Sequence, residues 1–246
     1  MSTQLEVNLA GIKVGIGFPN YSNMISMETF QSLIEAMKTM SDHKIPHEML
    51  IVRFGSLVDS ARNQVVQQFL ESDCTHLFWI DSDQAFAPEG FFRVLCFAQV
   101  YDIVGAPYQT KQDPGKVFMS YEKPPRFNEH GLLEAHGSGM GFVCMTRKVI
   151  ETLADGVPWY GKEGTTKIPY VFRNGYFPEY KQYFGEDHYF FTKAREAGFK
   201  YVIDPSFAVG HVGMKVYRHD PQGLVNTLKK EMEDDRNDSK GSAGNS

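Results

Sequence analysis

The sequence predicts an α/β fold built on a mixed, mostly parallel central sheet flanked by helices, with a smaller antiparallel extension. Three observations predict it. In the first half, short apolar runs alternate with stretches whose apolar residues recur every three or four positions. Between Tyr108 and Tyr183 the chain is instead rich in glycine, proline and aromatics, the composition of short strands and loops. With 246 residues, 42% of them hydrophobic and 13% aromatic, the chain holds enough apolar material for one large core.

The elements follow in order. Gly11 to Phe18 (GIKVGIGF) is an apolar run that Pro19-Asn20 ends, a first strand breaking into a loop. In SMETFQSLIEAMKTM the residues Phe30, Leu33, Ile34, Met37 and Met40 mark the inner face of a helix capped by Ser26. Glu48 to Phe54 reads as a second strand, and Val58, Ala61, Val65, Val66, Phe69 and Leu70 line a second helix. A strand at His76 to Ile80, a helix from Pro88 through Ala98 and a strand at Asp102 to Ala106 complete a Rossmann-like layout. Later come strand-like pieces at Val117 to Tyr121 and Gly141 to Met145, read as antiparallel additions, and a helix near Arg147 to Leu153. Glu186-Asp187 opens a helix with the stripe Tyr189, Phe190, Ala194 and Ala197, which Gly198 stops. A strand at Lys200 to Ile203 and a short one ending at His211 follow. One globular domain is expected over residues 1–218, with halves 11–106 and 107–218. Residues 219–246 are expected to form a short helix, Asp220 to Met232, and a disordered polar tail.

Charge and cysteine content narrow the function classes. Acidic residues outnumber basic ones 30 to 25 with no long basic run, so nothing announces a nucleic-acid backbone partner. Cys74, Cys96 and Cys144 are odd in number and set among apolar neighbours, which reads as reduced core thiols. No apolar run is long enough to cross a bilayer, and MSTQLEVNLAG lacks the pattern of a signal peptide. The expectation is a soluble, cytoplasmic protein.

The chemistry gathers at strand ends. THLFWIDSDQAF places Asp81 and Asp83 where the third strand exits, and open α/β sheets bind ligands at the carboxyl ends of their strands. Two adjacent carboxylates turned toward one point repel unless a cation lies between them, which points to a divalent metal. The alternative is that either aspartate caps the following helix or closes a turn. HGSGMGFVCMTRKV carries three glycines before a strand, which suits either a substrate approaching the backbone or positive φ in a turn. Glu186 and Asp187 sit in a helix first turn, where acidic side chains also serve as ordinary caps. His211 lies in Val-Gly-His-Val-Gly at a strand end.

Taken in order, these landmarks resemble the GT-A fold nucleotide-sugar-dependent glycosyltransferases: a Pro-Asn loop after the first strand, Asp-Ser-Asp at a mid-domain strand end, a helix opening Glu-Asp, and a late histidine. The likeness runs from Lys13 to Gly213, and LVDSARNQVVQQFLESDCTHLFWIDSD is similar to the D-x-D region of mannan-polymerase-type and phage-encoded glycosyltransferases. The Q-x-x-R-W signature of processive synthases is absent. The resemblance implies that Asp81, Asp83 and His211 hold Mn²⁺ or Mg²⁺ on the diphosphate of a nucleoside-diphosphate sugar. It implies that Pro19, Asn20 and Tyr21 receive the nucleoside, and that Arg62, Asn63 and Ser82 face the sugar diphosphate. Glu186 and Asp187 fall at the acceptor-side carboxylate, a general base if the reaction inverts the anomeric centre and an orienting pair if it retains it. Ser138, Gly139, Met140 and Trp159 are expected to form the acceptor floor. The implied donor half is 11–106 and the acceptor half 107–218. A glycan, a small molecule or, in a virus and hence in its host's cytoplasm, a hydroxymethyl-pyrimidine DNA base would be the acceptor. A non-catalytic nucleotide-sugar-binding protein and a metal-dependent nucleotidyltransferase or phosphohydrolase are the competing classes.

Overall fold

A computed structural model of the chain describes residues 9–20, 22–53 and 57–242, with side chains through Arg236. Tyr21 and Phe54 lie outside the described residues. In its first half the chain runs β1 (Val14–Asn20), α1 (Met27–Asp42), β2 (His47–Arg53), α2 (Val58–Glu71), β3 (His76–Ile80), β4 (Gln84–Ala85), α3 (Pro88–Phe97) and β5 (Ile103–Gly105). Next come β6 (Met119–Ser120), β7 (Leu133–Ala135), β8 (Gly137–Ser138), β9 (Phe142–Thr146), α4 (Arg147–Asp155), β10 (Trp159–Tyr160) and β11 (Ile168–Pro169). The chain closes with β12 (Gly175–Phe177), β13 (Gln182–Phe184), α5 (Glu186–Glu196), β14 (Tyr201–Ile203), β15 (Gly210–Val212), β16 (Val216–Tyr217) and α6 (Pro221–Ser242).

The central sheet has seven strands in the order β2-β1-β3-β9-β5-β14-β7. β9 and β7 run antiparallel to their neighbours and the others share one direction. The result is a mixed, mainly parallel α/β sheet flanked by helices, with small antiparallel sheets beside it. Because the sheet is covered on both faces, its strands are apolar on both. In β3, Leu77 and Trp79 enter the core layer shared with α2, α4 and α5, while Phe78 and Ile80 enter the layer shared with α1 and α3. The glycines of β1 let that first layer close: a Cβ on Gly17 would stand 2.9 Å from Val65 of α2.

Four expectations change. Pro19 does not break the first strand but continues it through Asn20, beyond Gly17, the last β1 residue paired with β3, where a missing N–H costs that pairing nothing. Helix α1 begins at the Ser26 cap, whose Oγ accepts the Thr29 N–H at 3.1 Å, yet its buried face is Thr29, Ser32, Leu33, Ala36 and Met40. Ser32 is buried because its Oγ accepts the Phe86 N–H at 3.0 Å beside β4; satisfying a buried backbone donor turns the helix and leaves Phe30 and Ile34 half outside. The Gly141 to Met145 piece is no peripheral addition but β9, paired with β3 and β5 in the middle of the sheet. Helix α6 continues past Met232 through Ser242, anchored by fully buried Leu228 and by Glu231, which accepts from the Tyr121 hydroxyl at 3.2 Å.

Cys74 and Cys144 are buried, Cys96 is half-buried, and all three are free. Among the described residues no helix is long and apolar enough to cross a membrane.

Candidate active site

The topology brings four segments to one edge of the sheet. β3 and β5 end there, which delivers Asp81, Asp83 and Tyr108. β9 runs the other way, so its start, with Gly139 and Gly141, lies at the same edge: the Asp81 N–H donates to the Gly141 carbonyl at 3.1 Å. Helix α5 must begin there too, because β14, which follows it, is parallel to β5. β15 arrives by a different route. It pairs antiparallel with β4, the two residues after Asp83, so His211 stands opposite Gln84 and the Val212 N–H donates to the Asp83 carbonyl at 2.7 Å.

Arg62 is the centre of the site's electrostatics. Its side chain is 3% exposed, on the inner face of α2, with its guanidinium against the rings of Trp79 and Phe172. Nη2 donates to Asp81 Oδ2 at 3.0 Å, Nη1 lies 3.0 Å from Oδ1 off the line of a hydrogen bond, and Nε donates to Glu186 Oε1 at 3.3 Å. Burial works against the guanidinium's charge, but the charges of Asp81 and Glu186 outweigh it and raise its pKa. A charge this deep is tolerated because it is paired twice over.

Asp83 and His211 form the second cluster. His211 Nδ1 is 2.9 Å from the Gln109 carbonyl, which orients the ring, and Nε2 lies 3.6 Å from Asp83 Oδ2. Lys111 Nζ donates to the same Oδ2 at 2.5 Å. Burial opposes the Asp83 charge, but the adjacent His211 and Lys111 side chains outweigh it and hold its pKa down to about 2. The buried carboxamide of Gln84 reaches Asp83 Oδ1 with Nε2 at 3.4 Å, while its Oε1 finds no partner among the described residues.

Asp187, next to Glu186 on α5, lines a cavity of about 210 Å³ with Phe118, Met119, Ser120, Gly137, Ser138 and His188. Burial raises its pKa to about 6, and the neighbouring Glu186 charge adds to this; the His188 N–H on its own helix and Arg62 pull the other way. Tyr108 joins the clusters: its hydroxyl accepts the Gly141 N–H at 3.2 Å and its ring lies edge-on to His211 at 5.1 Å. Burial and the Asp81 charge push the Tyr108 phenol up.

The structure therefore gathers Asp81, Asp83, Arg62, Glu186, Asp187 and His211 at one edge. Ser82 belongs to the same loop, its carbonyl accepting the Ser26 N–H at 2.9 Å. Asn20 and Pro19 end β1 at this edge, but the Asn20 carboxamide closes its own loop by accepting the Met24 N–H at 3.1 Å. Asn63 departs from expectation. It is fully buried, and its two amide atoms are used on the backbone of Phe172 at 2.9 and 2.7 Å, so it holds a loop to α2 and does not face a ligand.

Of the four residues expected to form the acceptor floor, Ser138 lines the cavity beside Asp187, and the other three lie elsewhere. Met140 is in the core, and Ser138 is buried with its hydroxyl 2.6 Å from the Tyr201 hydroxyl. Gly139 lies under Tyr108, whose Oη would be 1.9 Å from an added Cβ, and Trp159 is exposed on the β10–β11 hairpin with its indole N–H on the Ala154 carbonyl. None of the three glycines in HGSGMG has positive φ; Gly141 is required because a Cβ would stand 2.8 Å from Asp81 Oδ2. Two residues of this edge, Tyr108 and Lys111, went unread in the sequence. The strand-end rule, applied to β5 as it was to β3, points to both.

The donor set fits a divalent cation at Asp83 and His211. One carboxylate and one imidazole with its second nitrogen held by a carbonyl are suitable ligands for Mn²⁺. Asp81, Asp83 and Glu186 outnumber the basic groups Arg62 and Lys111 by three to two, so the site carries surplus negative charge before Asp187 ionises. Among the described residues, however, no three His, Cys, Asp or Glu side chains stand close enough together to form a complete protein cage, and Asp81 is committed to Arg62. Substrate oxygens would have to complete the shell.

No family model matches the chain, and no curated protein does at the level of sequence. Among solved structures it is similar to A197 from STIV, with a TM-score of 0.51 and 18% identity over 85% of this chain and 94% of that one. The inositol-1-phosphate CTP transferase from T. maritima is more remote, with a TM-score of 0.41 and 10% identity over 80% of this chain and 86% of that one, too distant to carry an argument. At these identities the likeness to A197 concerns architecture alone: the two chains share a fold along nearly their whole lengths.

Proposed function

We propose that the chain is a metal-dependent glycosyltransferase that moves a sugar from a nucleoside-diphosphate donor to an acceptor hydroxyl. The observation that carries this reading is that positions 83 and 211 meet at 3.6 Å beside Arg62, Asp81, Glu186 and Asp187, at the edge where open α/β sheets bind ligands.

In this reading the donor's diphosphate lies against Asp83 and His211. A divalent cation held there would supply Lewis-acid neutralisation of the departing nucleoside diphosphate. Asp81, fixed by Arg62, orients the donor without adding an uncompensated charge. Asp187 is the general base, because its raised pKa leaves it ionised yet basic at neutral pH and it lines the adjoining cavity. The acceptor oxygen attacks the anomeric carbon, its proton passes to an Asp187 oxygen, and the bond from that carbon to the diphosphate oxygen breaks. Configuration is inverted. Glu186, held by Arg62, is an orienting group.

Incubation of the full chain with Mn²⁺ and UDP-, GDP- and CDP-sugars tests this. Slow, metal-stimulated release of the nucleoside diphosphate is expected. Donor binding without turnover would point to a non-catalytic binder, and binding of no donor would remove the reading.

A further inference from the structure

Lys111 is placed by construction. The segment carrying it is closed by the Tyr108–Val209 and Gln109–Val117 bridges and by the Thr110 N–H on the Lys116 carbonyl at 2.8 Å. Gln109, two residues earlier, accepts from His211, and Asp113, two residues later, takes Lys215 Nζ at 2.5 Å from the β15–β16 turn. Gly213 leaves room for the lysine stem, since a Cβ there would meet Lys111 Cδ at 3.2 Å. The ammonium so delivered occupies the Asp83 oxygen that His211 also faces.

We propose that Lys111 is an internal counter-ion that couples metal binding to diphosphate binding at this site, an inference that rests on the function proposed above. Without a ligand, Lys111 and a divalent cation compete for the same Asp83 oxygen, so the metal alone binds weakly. The arriving diphosphate offers Lys111 a second anionic partner, and the ammonium moves from carboxylate to phosphate. That frees Asp83 for the cation. The exchange is feasible because the pair is about a third exposed on both sides, 38% and 32%, and half-solvated ion pairs are held loosely. Lys111 is thus a positioning residue: it orders the ligands and then neutralises part of the leaving group. By linkage, the metal and the diphosphate each tighten the other's binding.

The test uses the full chain and its Lys111→Met and Lys111→Arg variants. Mn²⁺ binding without nucleotide is read by electron paramagnetic resonance, and binding of UDP, GDP or CDP without metal, in EDTA, by calorimetry. For Lys111→Met we expect Mn²⁺ alone to bind about fivefold tighter and the nucleoside diphosphate alone to bind about tenfold weaker. Lys111→Arg should restore the wild-type pattern. A structural defect would weaken both ligands together, so opposite signs are the signature. If both ligands bind the wild type and Lys111→Met changes neither, or weakens both, the coupling role is overturned while the glycosyltransferase reading stands. If neither ligand binds any of the three proteins, both fall.

Discussion

Arg62 shows how much one buried charge can organise. It fixes Asp81 and Glu186, residues from two different parts of the fold, and does so against two aromatic rings. Removing it strands two carboxylates, so Arg62→Met should cost about 3–5 kcal/mol in a denaturant titration. The double change Arg62→Met/Asp81→Asn should recover part of that loss, because one stranded charge is gone; equal loss in single and double variants would refute the pairing argument. Asp187 tests the proposed chemistry. Asp187→Asn should lower turnover by about 10²–10⁴-fold while leaving donor binding intact. In the wild type the rate should rise with pH through about 6 and level off above it, as the carboxylate ionises. A rate that is flat from pH 5 to 8 would exclude Asp187 as the base.

At the scale of elements, periodicity identified nearly every helix and strand of the central sheet to within a residue or two, because burial on one stripe or on alternate positions is written locally. What it missed has definite causes. The inner face of α1 was misread because Ser32 is buried to serve the Phe86 N–H, a need that arises on another element. β4 and β16 are two residues long and have no period to detect, yet they flank β15, the strand that carries His211 to Asp83. β9 looked like a peripheral strand because its central place depends on pairing with β3 and β5, not on its own residues. Its start also makes a prediction. Gly141→Ala should push a methyl group to within 2.8 Å of Asp81 Oδ2, so the variant should fold with a loss of about 1–3 kcal/mol and bind donor more weakly. Unchanged donor affinity would show that Asp81 is not part of the donor site. In α6, Leu228→Ala should cost about 2–4 kcal/mol, as for other fully buried leucines, and a surface-like cost under 0.5 kcal/mol would show that the helix is not docked.

The molecule as a whole carries opposing titrations at its site. Asp187, with its folded-state pKa raised from 3.8 to about 6, favours the protonated form; the stability it gives is complete below about pH 4 and is lost as pH rises through about 6. Asp83, lowered to about 2, contributes stability above the ordinary carboxylate range that is lost as pH falls through about 2. Asp187→Asn should therefore stabilise the chain by about 1–2 kcal/mol at pH 7.5 and by little at pH 4, read as the difference in Tm between the two conditions. The excess of acidic residues, five at neutral pH, makes a second prediction for the whole surface. Plain duplex DNA should show no strongly salt-dependent binding in fluorescence anisotropy, and a steep salt slope would bring a modified-DNA acceptor forward.

By itself the sequence determined the α/β class, the order of the main elements, and the acidic, basic and imidazole residues that sit at strand and helix ends, because each of these is encoded by neighbours a few positions apart. Only the tertiary structure decided that Asp81 belongs to Arg62 while Asp83 faces His211 and Lys111, that β9 enters the middle of the sheet, and that Met140 and Asn63 serve packing. Those outcomes depend on which distant groups must share charge or a hydrogen bond once water is excluded, and no local pattern records that requirement.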